Sequence, residues 1–143
     1  MFSRCRVLMV EIPLYAQQRG EVIKLIVESA RGFAATYFGT TNLGENATEI
    51  VIACFIFIGQ AESRPMTAGD ISVSVGFPRA TVHRYLKDME ARGIIESAVI
   101  GRRRVYGLKG VNDPKVFQHL GQVREMFEKM TFRLVELSSQ NGH

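Results

Sequence analysis

The sequence is poor in cysteine and has no apolar run long enough to cross a lipid bilayer. Its two cysteines, Cys5 and Cys54, do not make a disulfide framework, so we expect a reducing, cytoplasmic compartment. The longest apolar run, from Ile50 to Ile58, has nine residues, whereas a membrane-spanning helix needs about 20. These absences argue against a disulfide-stabilised secreted domain and against a membrane partner.

Groupings of residues that would support catalysis or metal binding are also missing. The three histidines, His83, His119 and His143, have no metal-ligand spacing with each other or with the cysteines. There is no glycine-rich phosphate loop, no nucleophile elbow and no pair of acids on a common element. We therefore predict that the protein is not an enzyme and has no catalytic residues, no metal site and no cofactor.

The start of the chain does not have the pattern of a signal peptide. Met1 to Val10 is short, has arginines inside its apolar stretch, and is followed at once by Glu11 and Pro13. Met9 is an alternative start, which would leave residues 1–8 as an unstructured extension.

What the sequence does contain is a short helix with both ends marked, beginning near residue 67. Thr67 is placed to accept a hydrogen bond from the backbone three residues on, and Asp70 suits a helix N-terminus. Gly76 can end the helix in the left-handed conformation. Pro78 then has a φ suited to the first position of another helix.

This second helix is predicted from Arg79 to Arg92, with Gly93 as its stop. Val82, Leu86 and Met89 share one face, which we expect to be buried. Two helices joined by a tight turn, the second with a polar and basic outer face, form the layout that reads a DNA major groove. The residues predicted to contact DNA from this helix are Arg79, Ala80, Thr81, His83, Arg84 and Lys87.

A β-hairpin is predicted directly after the second helix. Residues 94–100 and 105–108 have the composition of strands, and residues 101–104 that of a turn. The turn holds Arg102, Arg103 and Arg104, so we expect a wing tipped with three arginines. Guanidinium groups match phosphate oxygens and suit narrow minor grooves, and all three are predicted to contact DNA.

Positive charge is concentrated in the same segment. Residues 79–109 hold eight of the 18 basic and three of the 14 acidic residues, which gives them a charge of +5. The other 112 residues carry a net charge of −1. Since the surplus coincides with the second helix and the hairpin, we interpret it as the footprint of a polyanion rather than as a merely solvated face.

The stretch from Val75 to Ile95 resembles the winged-helix domains of bacterial transcription regulators. Its run Pro78-x-x-Thr81-Val-His-Arg84 is similar to recognition helices of the IclR type. The whole-chain plan instead resembles the MarR type, in which one winged helix is flanked by helices at both ends. The resemblance implies double-stranded DNA as a partner, with an unidentified small-molecule effector as a possible second one. Some MarR-like regulators use an N-terminal thiol to respond to oxidants, which would be a possible role for Cys5. It leaves the choice between the two subfamilies open.

Two long helices are predicted to flank the winged helix. The first begins near Leu14, and the second begins at Asn112-Asp113-Pro114 and keeps a 3.5-residue apolar period for about three heptads. Such a seam packs either on its own domain or on another subunit, and we favour a homodimer. The residues predicted at the dimer interface are Val22, Leu25, Ile26, Val116, Leu120, Val123, Phe127, Met130, Leu134 and Leu137.

Between the first long helix and the winged helix lies the apolar run from Ile50 to Ile58. It could be a buried strand by composition, but Asn46 resembles an N-cap with Glu49 three residues on. We therefore predict a buried helix.

Together these patterns predict a mainly α fold with a small β-hairpin wing (α+β), in one domain of residues 1–143. Residues 46–110 form the DNA-binding winged helix, and residues 1–38 and 112–143 form dimerisation helices. The predicted function is sequence-specific DNA binding by a homodimeric transcriptional regulator. The alternative is a winged helix that assembles with another protein and does not bind specific DNA.

Overall fold

The structure, a computed structural model, describes residues 12–111 and 113–140. Cys5, Met9 and His143 lie outside these residues. The described part of the chain is mainly helical with one small sheet, which confirms the predicted fold class. Its elements in chain order are α1 (Leu14–Phe38), α2 (Ala47–Ala61), β1 (Met66–Thr67), α3 (Ala68–Val75), α4 (Arg79–Ala91), β2 (Ile95–Ile100), β3 (Arg103–Leu108) and α5 (Pro114–Gln140).

The chain divides into two compact units. One consists of the residues up to Ser29 together with those from Leu120 on, and the other consists of Ala30–His119. None of the helices in the described residues is both long and apolar enough to span a membrane.

The core of the Ala30–His119 unit is built from α2, α3, α4 and the sheet. Ile52 and Ile56 of α2 are fully buried, which confirms that the nine-residue apolar run is a helix rather than a strand. Residues four apart lie on the same face of a helix, so these isoleucines point into the core together. They join a cluster of buried side chains that includes Ile71, Val82, Leu86, Met89, Ile95 and Leu108.

The predicted cap of α2 is wrong in one respect. Asn46 does stand at the N-cap position, but its side chain makes no capping hydrogen bond. Glu49, predicted to complete the cap, instead accepts a hydrogen bond from Arg92 at 2.9 Å. Glu49 therefore takes part in a tertiary ion pair instead of the local helix cap.

The sheet has three antiparallel strands in the order β1-β3-β2. The two-residue strand β1 was not predicted; its Met66 pairs with Tyr106. Gln60 also contacts β3, because its side-chain oxygen accepts from the backbone N–H of Leu108 at 2.9 Å. Gly107 makes this approach possible, since a Cβ there would stand only 2.5 Å from the Gln60 amide nitrogen.

In the other unit, the first part of α1 and the last part of α5 run antiparallel to each other. Gln18 donates a hydrogen bond to Ser138 at 3.0 Å, and Glu21 lies 4.0 Å from Arg133. Leu137 is buried, with 4% of its surface exposed. The half-buried apolar side chains of the two helices include Leu25, Val123, Met126, Met130 and Leu134.

Candidate nucleic-acid interface

The first helix of the helix-turn-helix, α3, begins with the predicted cap. The Asp70 backbone N–H donates to Thr67 Oγ1 at 3.2 Å, and the Thr67 N–H donates to Asp70 Oδ2 at 3.0 Å. These bonds with Thr67, aided by the nearby Arg103, hold the pKa of Asp70 below its ordinary value. The cap therefore fixes both the start of α3 and a charged carboxylate at that position.

The turn between the helices uses the glycine that the sequence indicated. Gly76 has a φ of +77°, in the left-handed region where side chains are disfavoured. Ser72 donates a hydrogen bond to the carbonyl of Phe77 and closes the turn. Pro78, which was expected to suit the first helical position, stands one residue earlier, at the N-cap of α4, with a φ of −56°. The helix begins at Arg79, as predicted.

The second helix, α4, has the predicted inner and outer faces. Val82, Leu86 and Met89 are each 1% exposed or less, which confirms the buried stripe. Of the six residues predicted to face DNA, Thr81 is half-buried. The other five lie on the exposed surface: Arg79, Ala80, His83, Arg84 and Lys87.

Two arginines of α4 lie against neighbouring groups. The Arg79 guanidinium carbon is 3.7 Å from the place where a Cβ of Gly69 would stand, so it lies over the first turn of α3. The Arg84 guanidinium is 5.2 Å from the centre of the Tyr85 ring, within cation–π distance. Both side chains lie at the surface.

The end of α4 is held to α2. Gly93, with a φ of +73°, ends the helix, and the N–H of Ile94 donates to the Met89 carbonyl in a Schellman pattern. Arg92 then pairs with Glu49 at 2.9 Å and with Asp88 at 3.4 Å. These pairs engage one of the eight basic residues in the +5 segment.

The wing is a hairpin of β2 and β3, but its tip differs from the prediction. Ile100 pairs with Arg103, so the turn contains only Gly101 and Arg102. Gly101 has a φ of +65°, as a two-residue hairpin turn requires at its first position. Arg103 and Arg104 are the first two residues of β3, and the expectation of three arginines at the tip is wrong.

Both strand arginines have partners within the protein. Arg103 donates to Asp70 of α3 at 3.1 Å. Arg104 donates to Ser97 of β2 at 3.0 Å, and Ser97 donates to Glu90 of α4 at 2.7 Å. The sequence did not predict these contacts, because Asp70 lies 33 residues from Arg103 and Ser97 lies seven residues from Arg104. Neither separation is typical of a contact within one helix or strand.

Among the residues weighed for redox or metal chemistry, the structure describes the side chains of Cys54 and His83, which lie on different helices. No group of three or more histidines, cysteines, aspartates or glutamates that could hold a metal occurs in the described residues. Cys54 is half-buried on α2, where burial raises the pKa of its thiol, as expected for a small core residue. His83 is exposed on α4. The side chain of His119 is outside the described part of the structure.

The residues predicted at a dimer interface fall into two groups. Val22, Ile26 and Phe127 are exposed in one chain, the last with 55% of its surface accessible. Leu25, Val123, Met130, Leu134 and Leu137 are half-buried or buried within their own chain. Val116 and Leu120 lie within α5, but the structure does not describe their side chains.

Leu25 and Met130 also line an open groove of about 330 Å³ between α1 and α5. Met126 contributes to its apolar floor, and Lys24, Glu21 and Arg133 are among its charged rim. An apolar side chain of another molecule would fit into this groove.

Residues 60–98 match the model of the IclR helix-turn-helix domain. The matched segment runs from the end of α2 through α4 into β2, which confirms the IclR-like sequence of the second helix. The matched segment ends within the hairpin wing, and a long helix precedes and follows the winged helix in the chain, as the winged-helix plan predicted.

Solved structures of MepR from S. aureus are similar to the chain. The MepR–DNA complex is 20% identical, with 91% of this chain and 90% of that chain covered and a TM-score of 0.49. A MepR variant bound to an oligodeoxyribonucleotide is 17% identical, with 88% and 84% covered and a TM-score of 0.48. No curated protein matches the chain significantly.

Proposed function

We propose that the protein is a sequence-specific DNA-binding transcriptional regulator that acts as a homodimer. The observation that carries the proposal is the exposed basic face of α4, where Arg79, Arg84 and Lys87 lie opposite the buried Val82 and Leu86. In a helix-turn-helix, the second helix enters the major groove and its N-terminal residues meet the base edges. The match to an IclR-type helix-turn-helix supports this use of α4.

In the proposed complex, residues in the first two turns of α4 read the bases. Arginine holds guanine through two hydrogen bonds, and a threonine methyl contacts thymine. Arg79, Thr81 and Arg84 are suited to these roles, with Ala80 beside them. His83 is suited to a base or a phosphate, and Lys87, one turn further on, to a phosphate.

The wing then contacts the DNA backbone or the minor groove. A hairpin that follows the recognition helix presents Arg102 in its turn, with Arg103 and Arg104 next to the turn at the start of β3. Phosphates are negatively charged along the whole duplex, so these contacts orient the protein without reading sequence.

The homodimer is proposed to form through the unit that contains the ends of α1 and α5. Val22 and Ile26 on α1 and Phe127 on α5 are exposed apolar side chains. More of them lie on the same unit: Tyr15, Ile23, Phe132 and Val135. A concentration of exposed apolar groups of this kind marks a protein contact. A two-fold dimer would present two recognition helices to two half-sites.

A second candidate function is assembly with another protein. It is favoured by the open groove beside the wing, where Val73 and Ile100 are exposed next to Arg103. A module of this kind would use the groove and the wing for protein contact and would bind duplex DNA poorly at any salt concentration.

The deciding experiment selects bound duplexes from a random pool and then titrates binding with salt. A regulator returns a consensus with two half-sites, and its affinity falls steeply with salt because each phosphate contact releases a counterion. Failure to enrich any sequence, together with weak salt-independent binding, would contradict the proposal and favour the assembly module. The selected half-site and spacing would also identify the operator.

A further inference from the structure

The three arginines of the wing have different surroundings, although they are consecutive in sequence. We infer that Arg102 alone contacts DNA, and that Arg103 and Arg104 are positioning residues that brace the wing against the helix-turn-helix. This inference rests on the proposed DNA-binding function and assigns separate roles within the wing.

The contact of Arg103 with Asp70 is the first brace. Asp70 is already fixed by its two hydrogen bonds with Thr67 at the start of α3. When Arg103 donates to the same Oδ2 at 3.1 Å, the first residue of β3 is joined to a rigid helix end. The pair of opposite charges has no net charge, so Arg103 offers a phosphate less attraction than an unpaired arginine does.

The contact of Arg104 is the second brace, and it runs to a different helix. Successive side chains of a strand point to opposite faces, so Arg103 and Arg104 leave β3 on opposite sides. Arg104 donates to Ser97, whose hydroxyl donates to Glu90 near the end of α4. The wing is therefore linked to α3 on one side and to α4 on the other.

Arg102 is free of such links. It lies in the two-residue turn at the outer end of the hairpin, and its side chain has no hydrogen bond or ion pair with any other residue that the structure describes. The exposed side chains of Val99 and Ile100 precede it. An unpaired guanidinium at a narrow hairpin tip suits a phosphate or a narrow minor groove.

Matched substitutions test the division of roles. Arg102→Gln, Arg103→Gln and Arg104→Gln each remove one positive charge from neighbouring positions and keep a polar side chain. The affinity of each variant for the selected duplex is measured over a range of salt concentrations. Arg102→Gln should reduce the salt slope by ~1, as the loss of one phosphate contact does. Arg103→Gln and Arg104→Gln should keep the parent slope. Each should weaken binding by no more than about fivefold, the effect of losing one exposed ion pair for Arg103 and one hydrogen bond for Arg104.

Asp70→Asn gives an independent reading of the first brace. An asparagine oxygen still accepts from the Thr67 N–H, so the helix cap is kept while the charge that pairs with Arg103 is lost. A brace predicts weaker binding in Asp70→Asn, and no further loss when Arg103→Gln is added to it. Thermal melts of each variant confirm that it is folded at the temperature of the binding assay.

Two results would overturn the inference. One is a drop of the salt slope in Arg103→Gln as large as that in Arg102→Gln, which would make Arg103 a phosphate contact. The other is tighter binding by Asp70→Asn, which would mean that Asp70 withholds Arg103 from DNA. A parent protein without salt-dependent duplex binding would instead overturn the proposed function itself.

Discussion

Two neighbouring residues of α4, Leu86 and Lys87, show how far a sequence pattern determines the role of a single side chain. Leu86 is 1% exposed, and Lys87 lies on the outer surface. The 3.6-residue period of a helix places Val82, Leu86 and Met89 on one stripe. Burial of that stripe then leaves the basic residues outside, so both roles could be predicted from the sequence.

Leu86→Ala should lower the free energy of unfolding by about 2–5 kcal/mol, because burial is lost and a cavity is left in the core. Lys87→Ala is the matched control: it should leave that free energy within about 0.5 kcal/mol of the parent and weaken DNA binding. Urea titrations of both variants, followed by binding at a temperature where both are folded, separate the effects. If Leu86→Ala unfolds like the parent, residue 86 is not in the core.

Arg84→Ala should weaken binding to the selected duplex by about 1–3 kcal/mol and relax the base preference at one position. Arg92→Ala removes the same charge from the C-cap of the same helix, where the side chain pairs with Glu49. It should keep the base preference and lower stability by up to about 1 kcal/mol. Binding to a panel of single-base variants checks both. An unchanged preference in Arg84→Ala would show that α4 is oriented differently.

The ion pairs explain why the charge footprint could be predicted only in part. Within residues 79–109, Arg92 and Arg103 find acidic partners from outside the segment, namely Glu49 and Asp70. A count along the sequence cannot include them, because they are brought in by the packing of α2 and α3. The segment is still basic, but fewer of its charges are free for a polyanion than the count indicates.

At the scale of elements, the end signals of the helix-turn-helix could be predicted from the sequence, whereas the predicted side-chain cap of α2 by Asn46 is absent. The Thr67–Asp70 cap and the left-handed Gly76 and Gly93 are all present, because each signal acts over three or four residues. The strand β1 was missed because two residues carry no periodicity. It exists only because β3 offers it a free edge.

The cap of α3 should make stability depend on pH in the acid range. Because the pKa of Asp70 is lowered in the folded protein, its contribution is present above the unfolded pKa of about 3.9 and is lost as the pH falls through the folded pKa. In Asp70→Asn the decline below about pH 4 should be shallower than in the parent. Urea titrations between pH 7 and 3 measure it. Equal acid limbs for the two proteins would contradict the lowered pKa.

Thr67→Ala tests the other half of the cap. The loss of the acceptor for the Asp70 N–H should lower the free energy of unfolding by about 0.5–2 kcal/mol. The effect of Asp70→Asn should shrink as the pH falls below about 4, whereas the loss in Thr67→Ala should persist there, since a hydroxyl does not titrate in this range. A variant as stable as the parent at pH 7 would show that the 3.2 Å bond contributes little.

The apolar seam of α5 shows where periodicity is ambiguous. After Val123, both the third residue, Met126, and the fourth, Phe127, fit an amphipathic helix. The 3.5-residue period favours Phe127 for the apolar seam. In the structure Met126 lines the groove beside Leu25, while Phe127 is exposed. The contacts of α1 select between the two positions, and these contacts cannot be read from α5 alone.

For the whole molecule, the apolar residues of α5 fall into two groups, those that pack within the chain and those that are left exposed. Met130, Leu134 and Leu137 pack within the chain, so they cannot carry most of a subunit contact. The exposed apolar side chains, among them Phe127 on α5 and Ile26 on α1, are left for that contact. The homodimer thus stays a prediction, with its interface moved to the outer faces of the two helices.

Phe127→Glu should therefore convert a dimer into a monomer. Burying a phenylalanine at an interface contributes about 1.5–3 kcal/mol, and a glutamate there would lose this and carry an unpaired charge into the contact. Val73→Glu is the control, since it places the same charge at an apolar residue that is 86% exposed in the other unit. Light scattering at micromolar concentration should give twice the 16.0 kDa chain mass for the parent and for Val73→Glu, and a single chain mass for Phe127→Glu. A monomeric parent would refute the homodimer, and a dimer that persists in Phe127→Glu would place the interface on other residues.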